Sequence, residues 1–112
     1  MAGVTSAADF DVVEVSAGST VGELMVVEAL GLAEPGSGLA CYGDDGVVGL
    51  NVSGGALPAD PVMATGLVRL HEVVRELAGR STDSQESARR GLAHGTGGLG
   101  MQNHCVVTLE RS

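Results

Sequence analysis

Aromatic side chains are nearly absent from this chain. Its 112 residues include no Trp, one Phe and one Tyr, so Val, Leu, Ala and Met must build the core. Basic residues are scarce as well, six against 14 acidic, for a formal net charge of −8. That balance argues against nucleic acid and against anionic membrane surfaces, whose phosphates it would repel. It leaves open an anionic small ligand held locally by a glycine loop or a helix N-terminus. Cysteine occurs only at Cys41 and Cys105, a spacing that suggests neither a metal motif nor a disulfide scaffold. No apolar run approaches the roughly 20 residues of a membrane span. The N-terminus lacks the basic and apolar segments of a secretory signal. A soluble cytoplasmic protein is the expectation.

Hydrophobic residues make up 44% of the chain, enough for one small domain. Residues 1–8 are small and polar and read as a flexible lead-in, with the domain running over 9–112. Glycine, 18 residues, follows no fixed period. The stretch Phe10–Val15, "FDVVEV", is β-branched and nearly continuously apolar, the pattern of a buried strand. Thr20 and Glu23 have capping-box spacing, which predicts a helix from Val21 to Leu30 with Gly31 as its stop. "VVGLNV", Val47–Val52, predicts a second strand. Asp60 suits an N-cap and Pro61 a first helical position. Met63, Leu67, Leu70, Val74 and Leu77 recur at 4-3-4-3 spacing, a helical stripe that predicts a helix over Val62–Ala78 ending near Gly79. Ala64, Thr65 and Gly66 keep its first turn slim, as if another backbone came close. A solvated loop follows, then a strand end at Gly91–His94, a glycine turn and a last strand, His104–Glu110. The order β-α-β-α-β-β implies an α/β fold with a mixed sheet whose final pair can be antiparallel.

Three stretches, in order, resemble the C-terminal part of the thiolase family from about Asp9 to Glu110. "DVVEVSAGSTVGELMVVEALGL" is similar to the family's strand, catalytic loop and helix. "NVSGGALPADPVMATG" is similar to its Asn-x-x-Gly-Gly stretch and helix start. "AHGTGGLGMQNHCVVTLER" is similar to its terminal glycine-rich strand pair. The resemblance implies a partial thiolase-like C-terminal half-domain, acting on acyl-coenzyme A thioesters in lipid metabolism with no cofactor beyond the coenzyme A of the substrate and no metal. It implies that Asn51, Gly54, Gly55, Gly97, Gly98 and Gly100 let the backbone approach substrate; the plainer reading is that these glycines make tight turns.

Departures from the family pattern bear on function. The half carrying the nucleophilic cysteine is missing. The catalytic loop reads Ser16-Ala17, and Gly-His-Pro becomes Ala59-Asp60-Pro61. The terminal cysteine is replaced by His94, as in sterol-carrier-type and some actinobacterial lipid-transfer members. The resemblance makes His94 and Asp60 a candidate acid–base dyad. Asp60 also serves as a plain helix cap, and His94 as a structural histidine. Ser16 has no neighbouring base. Cys105 reads as core, and His71 and His104 as structural.

A thiolase half orders its strands 3-2-1-4-5, and this chain begins at the second. Its strands Phe10–Val15 and Gly91–His94 are therefore expected to flank an unfilled slot, at a cost of about 1–3 kcal/mol per unpaired buried group. The expectation is an oligomer, with a thiolase-like partner chain that supplies the missing strand and cysteine, or with itself. The activity expected is that of a split thiolase-like acyltransferase, inactive alone; the alternatives are a non-catalytic binding or scaffold subunit and a decayed fragment.

Overall fold

The computed structural model describes residues 9–43, 46, 49–58, 60–80 and 88–112. Its elements run β1 (Val12–Glu14), α1 (Thr20–Ala29), a 3₁₀ turn (Gly38–Tyr42), α2 (Thr65–Leu77), β2 (Arg90–Gly97), a second 3₁₀ turn (Leu99–Met101) and β3 (Asn103–Glu110). This is a small α/β fold with a mixed sheet, as the sequence pattern implied, built of three strands where the pattern implied four.

The sheet order is β1-β2-β3. β1 runs parallel to β2, with Val13 beside Leu92, and β3 runs antiparallel to β2, with His94 beside Val106. The expected slot is therefore closed: β1 pairs directly with the strand from which it was to be separated. The short β1 needs no intervening strand, because its other edge is met by the chain itself. Val13 N–H donates to Gly49 O (3.0 Å) and Val13 O accepts from Asn51 N–H (2.7 Å).

That last contact is what remains of the predicted second strand. Leu50 forms a single parallel bridge with Val13; Val47 and Val48 lie outside the described residues. The backbone turns on both sides of the bridge, at Gly49 (φ 81°) and Asn51 (φ 47°), conformations that no strand continues through. The Asn51 side chain then takes over the ladder, its Oδ1 accepting from Val15 N–H at 2.8 Å.

α1 begins one residue earlier than predicted. Ser19, extended at φ −158°, accepts from Gly22 N–H through its hydroxyl at 3.1 Å. The capping box does not close, because Glu23 is drawn to Tyr42 and Asn51. Gly31 and Gly79, at φ 75° and 66°, end the two helices as expected.

α2 begins later than predicted, at Thr65. Pro61 O accepts from Ala64 N–H at 2.7 Å in a separate turn, and Ala64 sits at φ −130°, outside helical geometry. Asp60 is therefore not the N-cap. The buried face of α2 carries Thr65, Arg69, Val73, Glu76 and Leu77, rotated away from the apolar stripe. Met63 and Leu67 remain 98% and 69% exposed.

The two faces of the sheet carry separate apolar clusters. Val12, Val73, Leu77, Ala88 and Ala93 pack on the α2 side. Val13, Val15, Val27, Cys41 and Leu92 pack on the α1 side. Each such aliphatic side chain contributes about 1.5–3 kcal/mol when fully buried.

Candidate functional site

α2 crosses β2 at two glycines. A Cβ on Gly95 would lie 2.9 Å from the Gly66 Cα, and one on Gly66 would lie 3.3 Å from the Gly95 Cα. The slim helix start anticipated from the sequence does meet another backbone, and that backbone is β2. Beside the crossing lies a groove of about 410 Å3. Met63, Leu67, Leu70, Ala93 and Val107 make it apolar, Asn103 supplies a polar side chain, and Thr96 and His104 border it from strand positions whose side chains belong to the opposite face of the sheet. It contains no charged side chain, and Cys105 also lines it.

His94 is 2% exposed on the other face of β2. Its Nε2 hydrogen-bonds His104 Nδ1 at 3.0 Å, with the rings stacked at a centroid separation of 5.3 Å. Its Nδ1 is buried without a partner among the described residues. Burial, and then the neighbouring His104, push the His94 pKa down. A neutral His94 therefore pairs with His104 on the face of the sheet away from the groove.

A second hollow, of about 430 Å3, lies where β1 leads into α1. Gly18, Glu23, Leu39, Tyr42, Leu57 and Asp60 are among its walls. Glu23 Oε1 accepts from Tyr42 Oη (2.6 Å) and from Asn51 Nδ2 (2.7 Å). Burial, then the Glu23 carboxylate, push the Tyr42 pKa well up, so Tyr42 stays a hydrogen-bond donor. Gly18, in the wall of this hollow, lies against the β2–β3 turn: a Cβ on it would lie 2.9 Å from Met101 Cε.

Beneath these loops is a buried polar cluster. Glu14 is 0% exposed and Arg69 1%, and they form an ion pair at 3.2 Å. Ser53 donates its N–H (2.9 Å) and its hydroxyl (2.6 Å) to the two Glu14 carboxylate oxygens, while Arg69 Nη1 donates to Ser53 Oγ at 3.0 Å. Burial raises the Glu14 pKa against the opposing pull of Ser53 and Arg69. This cluster pins the Asn51–Gly55 loop to both β1 and α2. The signal for it was an acid inside an otherwise apolar strand, which requires a buried partner.

The residues expected to form a site are thus distributed. Gly97 lines the groove. Gly98 and Gly100, at φ 80° and 67°, shape the β2–β3 turn. Gly54 and Gly55 lie in the pinned loop, where a Cβ would meet Pro58 or Asn51 at 3.0 Å. Asn51 is a structural bracket. Asp60 is exposed in the second hollow. No hydrogen bond joins it to His94, whose Nε2 is taken by His104 and whose Nδ1 has no partner among the described residues; Ala59 lies outside those residues. Ser16 is buried and hydrogen-bonded to Thr65 Oγ1 at 3.1 Å, which suits a structural hydroxyl. One expectation is corrected by position: Cys105 is exposed and not core, because β3 is the uncovered outer strand. His104, read as structural, holds His94 through its ring. Among the described residues, no group of three or more His, Cys, Asp or Glu side chains is placed to hold a metal ion. No helix among them is long and apolar enough to cross a membrane.

Comparison with known proteins supplies the context for this geometry. Residues 1–111 match the family described as thiolase C-terminal domain-like. Sterol carrier protein 2 of Rattus norvegicus is 36% identical over 110 residues, covering 92% of this chain and 20% of that protein. The chain therefore spans about a fifth of the length of that relative. No solved structure matches.

Proposed function

The chain belongs to the thiolase C-terminal domain-like family, and from that premise we propose that it binds the acyl part of an acyl-coenzyme A thioester, as a piece of a thiolase-like acyltransferase. The observation that carries this reading is the groove beside the Gly66–Gly95 crossing, apolar along Met63, Leu67, Leu70 and Val107 and polar at Asn103. An acyl chain would lie against Met63, Leu67 and Leu70. The thioester carbonyl would accept a hydrogen bond at the polar end. With no basic residue in the groove, the coenzyme's phosphates stay in solvent, which also suits the formal charge of −8.

Binding, and not chemistry, is the part assigned to this chain. Ser16 is buried and bonded, and Asp60 makes no hydrogen bond to His94. The nucleophilic cysteine of the full reaction would come from another chain or chain segment. Isothermal titration with a non-hydrolysable thioether analogue of a long-chain acyl-CoA tests the proposal. Saturable binding is expected, weakened about tenfold or more by Leu67→Glu, equivalent to about 1.4 kcal/mol. Free coenzyme A should bind more weakly than the acyl form. Equal affinity for both, or indifference to Leu67→Glu, would contradict it. A fatty acid or sterol competing as well as the thioether would shift the reading toward apolar cargo of the kind the relative's name denotes.

A further inference from the structure

β3 is an edge strand without protection. Natural edges are blunted by Lys, Pro or bulges. The sequence of β3, NHCVVTLE, contains neither Lys nor Pro, and its register against β2 runs unbroken from Asn103 to Glu110. All but two of its eight residues are exposed, Val106 to 46%. Among the described residues nothing pairs with its outer side.

The phase of the ladder says which groups are unpaired. Arg111 N–H donates to Arg89 O at 2.7 Å. Odd-numbered residues of β3 therefore turn N–H and C=O toward β2. His104, Val106, Thr108 and Glu110 turn theirs outward, because successive residues of an antiparallel strand alternate. Each of these four residues thus points a donor and an acceptor away from the sheet.

The geometry points to a second copy of this chain as the occupant of that edge, its β3 antiparallel to this one, with Val107 on the two-fold axis. A two-fold axis perpendicular to the sheet keeps each face on its own side, so even-numbered residues must oppose even-numbered ones. Centring on Val107 sets His104 opposite the partner's Glu110, and Val106 opposite the partner's Thr108, using all four outward residues of both strands. Centring on Val106 would leave Glu110 opposite the partner's Gln102, which has left the strand conformation (φ −78°, ψ −18°). The Val107 register also matches hydrogen-bonding groups. The Glu110 carboxylate, which holds Arg90 of its own sheet at 3.4 Å through Oε1, comes opposite the partner's His104 ring, whose Nδ1 holds His94 while Nε2 makes no hydrogen bond among the described residues. On the α2 side, Cys105 and Val107 of the groove would face the partner's Leu109 and Val107, extending the groove's floor. Because the β1 edge is occupied by Gly49–Asn51, assembly closes at two copies.

Sedimentation equilibrium at micromolar concentration tests the interface, in salt near physiological strength, where charges beyond about 8 Å are screened. The expected mass is twice the monomer's 11.2 kDa. Val106→Pro removes an outward N–H and no β2–β3 bond, and should weaken the dimer at least tenfold while circular dichroism and cooperative unfolding persist. Val106→Lys, which puts charge on the edge, should do the same should the proline variant unfold. Val107→Cys in a Cys105→Ser background should oxidise to a symmetric covalent dimer, as a non-hydrogen-bonded pair about 4.5 Å apart at Cα permits. A monomer, species larger than a dimer, a dimer indifferent to both Val106 changes, or failure of the Val107→Cys variant to cross-link would each overturn the proposal.

Discussion

The two edges of the sheet are finished in opposite ways. At β1 the chain supplies its own seal: Gly49 and Asn51 bond Val13, the Asn51 amide bonds Val15, and Glu14 beneath them is locked to Ser53 and Arg69. At β3 the strand is regular, eight residues long and mostly exposed. β1 pairs directly with β2 and is met on its other side by one short bridge, which leaves β3, beside the groove, as the open edge among the described residues. Structural constraint collects at β1, and the proposed binding surfaces lie at β3.

The strongest way to break this contrast is at the buried ion pair. Arg69→Met leaves Glu14 buried without its cation and should cost about 3–5 kcal/mol, read as a loss of midpoint in urea unfolding. Asn51→Ala removes the bonds to Val15 and Glu23 and should cost about 1–3 kcal/mol in the same measurement, with faster amide exchange at Val15.

Titration sharpens the contrast from inside the sheet. His94 is depressed by burial, so the native state takes up its proton less readily than the unfolded chain. Its stability contribution is complete above the unfolded pKa of about 6.5 and is lost as pH falls from there to the folded value. Thermal unfolding between neutral and mildly acidic pH should show that decline, and His94→Gln should flatten it. Glu14 acts with the opposite sign: its raised pKa makes the native state the better proton acceptor, so comparison with His94→Gln isolates the histidine.

The effects on stability should be smallest at exposed side chains outside the buried cluster. Thr108→Ala and Asp60→Ala alter exposed side chains and should each stay within about 0.5 kcal/mol. For Asp60 a larger loss would restore a capping role that the turn at Pro61–Ala64 removes.

Much of this was legible from residue patterns, and the failures share a cause. Phe10–Val15, the stops at Gly31 and Gly79, and the slim helix start at Gly66 were readable because the signal is local: an apolar run, a positive φ, a missing Cβ. The predicted start of α2 at Pro61 failed because Ala64 leaves helical geometry while the chain is still in a turn. The apolar stripe misplaced the buried face because Arg69 and Thr65 go inside, held by Glu14 and Ser16, partners 55 and 49 positions away. The expected Asp60–His94 dyad did not form because the two residues are bound into different surroundings, the second hollow and the His104 pair. Such pairings are set by tertiary contact, and the sequence offered only one hint, a glutamate among valines.

Amide chemical-shift mapping with the thioether analogue of a long-chain acyl-CoA tests the central claim most directly, because it asks which side of the molecule holds the ligand. Shifts are predicted at Gly66, Leu67, Gly95, Thr96, Asn103 and Val107, along the groove beside β3, with Gly54, Gly55 and Asp60 unmoved. Shifts confined to Gly18, Gly54, Gly55 and Asp60 would place the ligand in the second hollow and contradict the account.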